Sequence, residues 1–519
     1  MVKRTVTIIM AAVFVMAFAF TGCTSGNSGG TSSKDTFIFA QGADPRGLDP
    51  AMIDDGESAM VIANVYEGLT KYNDKTTAIE PSLATSWDVS ADGLEYTFHL
   101  RTGVKFQDGT PFNADAVKKS IDRQLPPNDT SNMPYADFTF GYVDHVEVVD
   151  DATVKIVLTQ PCTPFLANLA MTQAAPITSP TAVAKSTTGD INEQPVGTGP
   201  YKFVSWQKGV AVTLVRNEDY WGDKPPIKNL IFQIIPDNSA RAAAMMAGKI
   251  DAMNGLDAPD VDSVKNSGAQ IFSADGMNIN YMAFNTTRAP FNNKDIREAV
   301  VSAINVPEMV QSLYLGYSQP AYSVLPTFMP GYDASVKPYP YDPDKAKQLL
   351  QQAGADNLTI NMITYTNPRP YNSATGTKLA EAIQSYLAKV GVTCNITQYD
   401  WTTYKDKVAQ GEGDVCFYGW IGDNGDPDNF MNLLDDNDMS MNAAGYHNPT
   451  YHDLIVKAAA TPNGNDRYAM YGQMEKIVAD DAVWLPISHA QSMAAYGKNV
   501  NGFFIHPTGN IFFKNVSKS

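Results

Sequence analysis

The segment GWIGDNGDPDNF at residues 419–430 contains three closely spaced carboxylates, Asp423, Asp426 and Asp428. Carboxylates at such spacing can coordinate a cation, act as an acid–base pair, or bind a positively charged group of a ligand. The segment directly follows an apolar, strand-like run at residues 415–420. Ligands of open α/β sheets bind beyond the carboxyl ends of the strands, so this loop is the first candidate site.

The spacing of the acids does not match a calcium loop or a zinc-protease motif. A loop of the EF-hand type starting at Asp423 would have Gly425 at its third position and Leu434 at its twelfth, where oxygen ligands are required. No His-Glu-x-x-His sequence is present. His447 and His452 are five positions apart in a loop-like segment, which is a weak metal signal. We therefore expect no metal and no cofactor, whereas a catalytic pair between one of these aspartates and an acid elsewhere in the chain stays an alternative.

A second segment, TNPRPYN at residues 366–372, places Arg369 between Pro368 and Pro370. Proline fixes its own backbone and disfavours the helical conformation in the residue before it, so an extended backbone is expected at Arg369. The segment follows the strand-like run LTINMITY. A guanidinium on a stiff backbone is suited to a carboxylate, which can belong to a ligand or to a structural ion pair within the protein.

The N-terminal residues have the pattern of an export signal. Two basic residues precede an apolar run at residues 6–20, which is short for a retained transmembrane anchor. A small pair followed by Cys23 then resembles a bacterial lipobox, in which this cysteine becomes a lipidated N-terminus after cleavage. We expect a signal peptide at residues 1–22, and the lipidated cysteine with a flexible Ser/Gly-rich tether at residues 23–34.

The composition excludes one class of partner and indicates more than one domain. The chain has 519 residues, with 55 acidic and 38 basic side chains and a formal net charge of −17. Nucleic-acid binding needs clustered Lys and Arg, and the sequence has no such cluster, so we exclude nucleic acid. The length exceeds what one hydrophobic core usually serves.

The cysteines outside the signal segment are too few for a disulfide framework. They are Cys162, Cys394 and Cys416. Because Cys394 and Cys416 lie in apolar, strand-like runs, we expect them to be buried packing residues. Pairing of these two residues is the alternative.

Residues 35–217 are rich in alternating apolar positions. LEYTFHLR places Leu94, Tyr96, Phe98 and Leu100 on one face. HVEVVDDATVKIVL contains two alternating runs separated by a pair of aspartates. Period-two alternation is typical of half-buried strands, so this part of the chain is predicted to be β-rich.

Helical signals strengthen after about residue 217. YDPDKAKQLLQQAG offers Asp342 as N-cap, Pro343 at the first helical position and Gly354 as C-cap. TKLAEAIQSYLAKVG places its apolar residues on one helical face and ends at Gly391. Strand-like runs alternate with these helices, which predicts an α/β region.

Several segments carry a family resemblance. YWGDKPPIKNLIF, RAAAMMAGKIDA, the helix beginning IREAV and YDPDKAKQLLQQAG resemble, in this order, the bacterial extracellular solute-binding proteins that supply peptide and nickel ABC transporters. The resemblance extends from about Asp35 to the C-terminus. Within that family, GWIGDNGDPDNF and RPYN are most similar to the dipeptide-binding members.

The resemblance implies a two-lobed α/β fold of the periplasmic-binding-protein type, class II and of the large peptide-binding kind, which closes over its ligand by a hinge. The expected first lobe comprises residues 35–278 and 488–519, with an extra β-rich subdomain at about residues 65–195. The expected second lobe comprises residues 279–487.

The resemblance also implies roles for individual residues. Asp423 would bind the α-ammonium group of a peptide, and Arg369 would bind its α-carboxylate. The further residues implied to line the site are Trp420, Tyr371, Gly419 and Gly422 from the second lobe, and Gly56 and Ser58 from the first. These last two lie in the loop DDGES, which departs from the pattern of the dipeptide-binding members.

The implied function is peptide capture without catalysis. We expect a monomeric, lipid-anchored extracytoplasmic protein, at the cell surface or in a periplasm, that binds dipeptides and delivers them to ABC permease subunits in the membrane. One alternative keeps the family and changes the ligand to an oligopeptide, a nickel chelate or a glutathione-like compound. The other alternative is a secreted hydrolase.

Overall fold

The computed structural model describes residues 34–185, 190–435 and 441–519. The predicted signal peptide, Cys23 and all but the last residue of the predicted tether lie outside the described residues. Residues 34–519 belong to one compact unit. Among the described residues, no helix combines the length and the apolar composition that a membrane span requires.

The described strands, numbered in chain order, are β1 (Thr36–Gln41), β2 (Thr70–Tyr72), β3 (Ile79–Pro81), β4 (Ala84–Val89), β5 (Glu95–Leu100), β6 (Val143–Asp150), β7 (Thr153–Leu158), β8 (Tyr201–Gln207), β9 (Ala211–Arg216), β10 (Asn229–Ile234), β11 (Ala252–Asn254), β12 (Gln270–Asp275), β13 (Asn278–Phe284), β14 (Ser318–Pro320), β15 (Thr359–Tyr365), β16 (Pro368–Arg369), β17 (Asn372–Thr375), β18 (Thr393–Tyr399), β19 (Val415–Ile421), β20 (Trp484–Tyr496), β21 (Val500–Asn501) and β22 (Ser517–Lys518).

The described α-helices are α1 (Gly56–Ile62), α2 (Ala114–Asp122), α3 (Ala136–Phe140), α4 (Phe165–Asn168), α5 (Pro180–Lys185), α6 (Asp190–Glu193), α7 (Asn238–Met246), α8 (Val261–Asn266), α9 (Lys294–Ser302), α10 (Val306–Tyr314), α11 (Pro343–Gln352), α12 (Gly376–Ala388), α13 (Trp401–Ala409), α14 (Asp428–Met431), α15 (Pro449–Ala460) and α16 (Asn465–Asp480). Short 3₁₀ turns lie at Ala258–Asp260, Asn432–Leu434 and Phe513–Asn515.

A mixed sheet connects the two halves of the fold. Its strand order is β18-β15-β19-β13-β20-β11-β1-β10-β9-β8, with β12 and β14 also paired to β20. The long strand β20 pairs with β13 through residues 484–488 and with β12 through residues 491–496. One strand therefore belongs to both halves of the sheet.

The second lobe is built around a core that runs from Met277 to Ile487. Parallel strands β18, β15 and β19 lie at its edge of the sheet and are covered by helices such as α12. The apolar face of α12 is fully buried at Leu379, Ile383 and Leu387. This alternation of strand and helix confirms the predicted α/β region.

The first lobe combines residues from both ends of the described chain. Its core includes Phe37 and Phe39 of β1 together with Phe503 and Phe513 near the C-terminus. A separate sheet, β4-β5-β7-β6, has its own apolar core and forms the β-rich subdomain. The predicted two-lobed α/β fold is therefore confirmed, while the residue boundaries of the lobes stay a prediction.

The local signals in the sequence are largely reproduced. In β5, Tyr96 and Phe98 are buried as the alternation predicts. Asp342 caps α11, because its side chain accepts a hydrogen bond from the backbone N–H of Lys345 at 2.9 Å. The predicted C-cap is displaced by one residue. Ala353 is the cap, and Gly354 follows it with φ +67°, where a residue without Cβ is favoured.

The disulfide alternative for Cys394 and Cys416 is wrong. Both thiols are buried and free, as is that of Cys162. Cys394 lies in β18 and Cys416 in β19, and β15 lies between these two strands. Two strand spacings amount to roughly 9.5 Å, beyond the Cα separation that a disulfide can bridge.

Candidate ligand-binding site

The candidate loop begins where β19 ends. The backbone N–H of Gly422 donates to the carbonyl of Met277 at 2.7 Å, so the loop starts as a continuation of the sheet. The Asn424 side chain then accepts from the backbone N–H of Asp426 at 2.9 Å. Gly425, between Asn424 and Asp426, has φ +73°, a conformation that residues with a side chain rarely adopt. These features make a sharp turn directly after Asp423.

Asn429 fixes the orientation of the two neighbouring site residues. Its side-chain oxygen accepts from the indole N–H of Trp420 at 2.7 Å and from the backbone N–H of Asp423 at 3.0 Å. Its side-chain nitrogen donates to Asp423 Oδ2 at 3.3 Å. One amide therefore positions both an aromatic wall and a carboxylate, a role that sequence reasoning missed.

The Asp423 carboxyl lies in an environment that disfavours its charge. Burial raises its pKa to about 7, and side-chain hydrogen bonds from Asn429 and Tyr135 act against that rise. No ion pair with Asp423 is found among the described residues. A carboxyl that is buried and lacks a cation favours any ligand group that brings one.

The other two aspartates of the segment have a different role. Both oxygens of Asp426 accept from Arg467, at 2.7 and 2.8 Å, and this guanidinium is fully buried. Asp426 also accepts from the backbone N–H of Asp428, which starts α14. The ion pair between Asp426 and Arg467 joins the loop to α16.

Arg369 lies at the same edge of the sheet as Asp423. Strands β15 and β19 are parallel neighbours, and Arg369 and Asp423 follow their respective carboxyl ends. Arg369 is part of the short strand β16, as its flanking prolines predict. Its guanidinium carbon lies 4.1 Å from the centroid of the Trp401 ring, a cation–π arrangement.

The Arg369 guanidinium lacks a counter-ion and a hydrogen-bond partner for its Nε within the described part of the chain. It makes no ion pair there, and its Nε is buried without a hydrogen-bond partner. The Tyr371 hydroxyl, on a side chain that is 5% exposed, is also buried without a partner. Burial raises the pKa of Tyr371, and the nearby charge of Arg369 lowers it. Two such groups together are suited to an anionic ligand group.

Gly419 allows the two motifs to pack together. A Cβ added at Gly419 would lie 2.2 Å from Cδ2 of Tyr371, so only glycine admits this ring against β19. Behind the ring, Asn372 accepts from the Tyr314 hydroxyl and donates to the Tyr365 hydroxyl, both at 2.9 Å. This buried network fixes the hairpin that carries Arg369.

The first lobe contributes its DDGES loop and helix α1. Gly56 is exposed, and a Cβ added there would meet no atom within 4 Å. Ser58 is fully buried, and its hydroxyl accepts from the backbone N–H of Arg46 at 2.9 Å. The structure thus places Gly56 next to open space and Ser58 in a bond within its own lobe. Glu57, between them, is half-buried, and burial raises the pKa of its carboxyl, while the charges of Arg369 and Arg241 act against that rise.

The candidate loop also touches the first lobe. Asn424 donates to the side chain of Asn168 at 2.7 Å, and the Tyr72 hydroxyl lies 3.2 Å from the carbonyl oxygen of Asp423. A Cβ added at Gly425 would lie 2.3 Å from Cβ of Thr77. These contacts join the candidate loop to residues of the N-terminal part of the chain, between positions 72 and 168.

The predicted residues of the second lobe lie on two neighbouring segments. Trp420 is near the end of β19, Gly422 and Asp423 are in the loop that follows it, and Arg369 and Tyr371 lie on the hairpin after β15. Sequence reasoning missed Trp401, which contacts Arg369 only through the fold, and Asn429, whose contacts lie within the candidate segment itself. The described residues contain no group of three or more His, Cys, Asp or Glu side chains placed to hold a metal ion.

Comparison with known proteins places these features in a family. Residues 78–442 match the bacterial extracellular solute-binding proteins, family 5 (middle). Haem-binding protein A of Haemophilus influenzae is 35% identical, covering 94% of this chain and 93% of its own. The dipeptide-binding protein of Escherichia coli is 34% identical, covering 93% and 94%.

A solved structure agrees with the sequence relatives. The periplasmic binding protein of a Helicobacter pylori ABC transporter, in complex with the peptide STSA, superposes with a TM-score of 0.83 at 32% identity. The superposition covers 93% of this chain and 98% of the other. The chain belongs to the bacterial extracellular solute-binding proteins of family 5.

Proposed function

We propose that the protein captures dipeptides by closing its two lobes over them, and delivers them to the permease of an ABC importer. Asp423 binds the peptide ammonium and Arg369 binds its carboxylate. The observation that carries the proposal is the presence, at one edge of one sheet, of two groups that lack an ion pair within the described residues: the half-buried carboxyl of Asp423 and the guanidinium of Arg369, whose Nε is buried without a hydrogen-bond partner.

The charges of a dipeptide suit this pair of residues. The ends of an extended dipeptide lie roughly 7 Å apart, and closure removes both from water. Moving a charge into the protein costs several kcal/mol unless it is paired and hydrogen-bonded. A longer peptide would leave one terminal charge without its partner, so we expect Asp423 and Arg369 together to discriminate against longer peptides.

The remaining features of the proposal follow from the sequence and the family. Solute-binding proteins of this family act outside the cytoplasm, and we propose anchoring through a lipid on Cys23. The protein acts as a monomer and releases its ligand unchanged. Lining by Trp420, Tyr371, Gly419, Gly422 and Gly56 is part of the proposal.

Calorimetry with blocked peptides tests the proposal. We expect Ala-Ala to bind, and acetyl-Ala-Ala and Ala-Ala-amide to bind at least about a hundredfold more weakly, because each lacks one terminal charge. Equal affinity for tetra-alanine would instead favour an oligopeptide binder. Haem and glutathione belong in the same panel, since one relative is a haem-binding protein.

An assay for peptide cleavage distinguishes a binding protein from a hydrolase. Mass spectrometry after prolonged incubation should recover Ala-Ala intact. Release of free alanine at a rate proportional to protein concentration would favour the hydrolase alternative.

A further inference from the structure

Two hydrogen-bonding side chains reach the candidate loop from the N-terminal part of the chain. The Tyr72 hydroxyl, at the end of β2, lies 2.9 Å from the carbonyl oxygen of Ala167 and 3.2 Å from that of Asp423. The Asn424 side chain donates to the side-chain oxygen of Asn168 at 2.7 Å. Tyr72 is 4% exposed and Asn168 is 3% exposed. Both contacts with the loop are therefore shielded from competing water.

The next residue of the loop is held by packing. A Cβ added at Gly425 would lie 2.3 Å from the Cβ of Thr77, so the glycine lies directly against this side chain. Thr77 belongs to the connection between β2 and β3. Three consecutive residues of the loop thus each contact one residue of the N-terminal part. These contacting residues are called the brace below: Tyr72, Thr77 and Asn168.

Further contacts fix the brace itself. The Tyr72 ring stacks on the His506 imidazole, with ring centroids 5.4 Å apart. Nε2 of His506 donates to the carbonyl of Thr76, in the same connection between β2 and β3, at 3.0 Å. The amide nitrogen of Asn168 donates to the carbonyl of Phe138 at 3.3 Å, which leaves the amide oxygen for the loop. The brace therefore meets the loop with side chains whose positions are already set.

Both peptide groups that flank the Cα of Asp423 are held by side chains. Its backbone N–H donates to Asn429 at 3.0 Å, and its carbonyl oxygen lies 3.2 Å from the Tyr72 hydroxyl. A residue has only two soft backbone dihedrals, so fixing the peptide groups on both sides limits the direction of the Cα–Cβ bond. Asn429 belongs to the candidate segment, whereas Tyr72 is supplied by the brace.

The brace has no corresponding contact with the hairpin that carries Arg369. Among the described residues, neither Tyr72 nor Asn168 is hydrogen-bonded to β16 or β17. That hairpin is held instead through Asn372, whose amide bonds to two buried tyrosine hydroxyls at 2.9 Å. The two ends of the candidate site are therefore supported by different parts of the chain.

We propose that the brace positions Asp423 for the peptide ammonium and thereby sets how strongly the site prefers a free N-terminus to a blocked one. The inference rests on the proposed function and adds positioning residues to it. A carboxylate whose direction is already fixed loses less conformational freedom when an ammonium pairs with it. A ligand without the ammonium gains nothing from that orientation.

Two affinity ratios, measured by displacement calorimetry, test the inference. The ammonium ratio compares Ala-Ala with acetyl-Ala-Ala, and the carboxylate ratio compares Ala-Ala with Ala-Ala-amide. In the unmodified protein both should be at least about a hundredfold. Tyr72→Phe should lower the ammonium ratio about threefold, and the double variant with Asn168→Ala about tenfold, as for one and two hydrogen bonds. Both variants should keep the carboxylate ratio within about twofold.

Tyr96→Phe is the matched control. The Tyr96 hydroxyl is also buried and donates to a carbonyl of the same part of the chain, that of Cys162, at 3.2 Å. Within residues 34–185, 190–435 and 441–519 it has no bond to the candidate loop, so its removal should leave both ratios unchanged. If Tyr96→Phe lowers the ammonium ratio as much as Tyr72→Phe does, the inference is overturned, because the effect would not depend on contact with the loop.

Two further outcomes would overturn the inference. A double variant that keeps the full ammonium ratio would show that the brace does not orient Asp423. Equal losses of affinity for all three peptides would leave both ratios unchanged, and would mean that Tyr72 and Asn168 support only the fold. Circular dichroism checks that the double variant is folded, and Tyr72→Phe alone decides the outcome if it is not.

The proposed function fails in a different way. If the unmodified protein binds Ala-Ala and acetyl-Ala-Ala equally, Asp423 does not bind the ammonium, and the inference falls with that assignment. An ammonium ratio of about a hundredfold that persists in the variants leaves the proposed function in place and removes only the role of the brace.

Discussion

Asp426 and Arg467 form a buried, two-armed ion pair, with N–O distances of 2.7 and 2.8 Å. Asp423 lies three residues earlier on the same loop and has a different environment. It is half-buried, its pKa is raised by burial to about 7, and its hydrogen-bond donors are neutral side chains. The loop thus contains one carboxylate that is paired with an arginine and one that has no cationic partner among the described residues.

Removal of the Asp426 carboxylate should affect stability first. Asp426→Ala leaves the fully buried Arg467 without its counter-ion, which should lower the free energy of unfolding by about 3–5 kcal/mol. Urea denaturation followed by tryptophan fluorescence measures this change. A loss below about 1 kcal/mol would show that the ion pair does not stabilise the loop.

Replacement of Asp423 should reduce the affinity for dipeptides and not the stability of the fold. Asp423→Ala should weaken dipeptide binding by about 3–5 kcal/mol, because the peptide ammonium is buried without a partner. Asp423→Asn should be neutral or stabilising toward urea at pH 8, since the ionised carboxyl is disfavoured in the fold. Asp453→Asn, an exposed acid on α15, should change neither quantity. A binding loss under about 1 kcal/mol for Asp423→Ala would exclude it as the ammonium ligand.

Both the charge and the planar shape of the Arg369 guanidinium should contribute to peptide affinity. Arg369→Ala should cost about 3–5 kcal/mol of dipeptide affinity, and Arg369→Lys should recover only part of it, because lysine cannot form a two-armed bond with a carboxylate. Calorimetry with Ala-Ala and Ala-Ala-amide isolates the effect. An equal loss with both peptides would mean that Arg369 does not bind the carboxylate.

Binding should depend on pH through Asp423. Its pKa of about 7 means that this carboxyl is partly protonated in the ligand-free protein near neutral pH, and a bound ammonium favours the ionised form. Affinity should therefore rise by up to about tenfold per pH unit between about pH 5.5 and 7, and fall above about pH 8 as the peptide amine loses its proton. Calorimetry in buffers of different ionisation enthalpy measures the released proton. Asp423→Asn should abolish the rising limb, and a flat profile for the unmodified protein would contradict the assignment.

Two glycines offer a matched steric test. Gly419→Ala places a Cβ 2.2 Å from the Tyr371 ring, so it should lower the free energy of unfolding by about 1–3 kcal/mol and weaken binding by displacing the Arg369 hairpin. Gly56→Ala meets no protein atom within 4 Å, so its stability should be unchanged. Thermal melts with and without Ala-Ala compare the two variants. Equal stabilities would contradict the packing of Tyr371 on Gly419.

The bond between Asn424 and Asn168 should contribute to closure. A double-mutant cycle of Asn424→Ala and Asn168→Ala should give a coupling of about 1 kcal/mol in peptide affinity, because the bond joins the two lobes. Small-angle scattering should show a larger radius of gyration for the variants at sub-saturating peptide. Strict additivity of the two changes would mean that this contact does not stabilise the closed form.

Local features of this protein could be read directly from the sequence. Three predictions depend on residues only a few positions apart: the alternation in β5, the cap at Asp342 and the apolar face of α12. Each of them agrees with the structure. The turn after β19 and the extended backbone at Arg369 also follow from glycine and proline in the immediate neighbourhood. The candidate residues Asp423 and Arg369 were therefore identifiable, with their roles supplied by the family resemblance.

Other features were decided only by the tertiary structure. Nothing near Asp426 in the sequence indicates Arg467, and nothing near Asp423 indicates Tyr135, because these partners come from distant segments brought together by packing. Cys394 and Cys416 have equally apolar surroundings in the sequence, yet β15 separates them. The sequence by itself thus determined the elements and the types of charge available, while burial and long-range contacts decided which carboxylate is paired with an arginine and which has no cationic partner among the described residues.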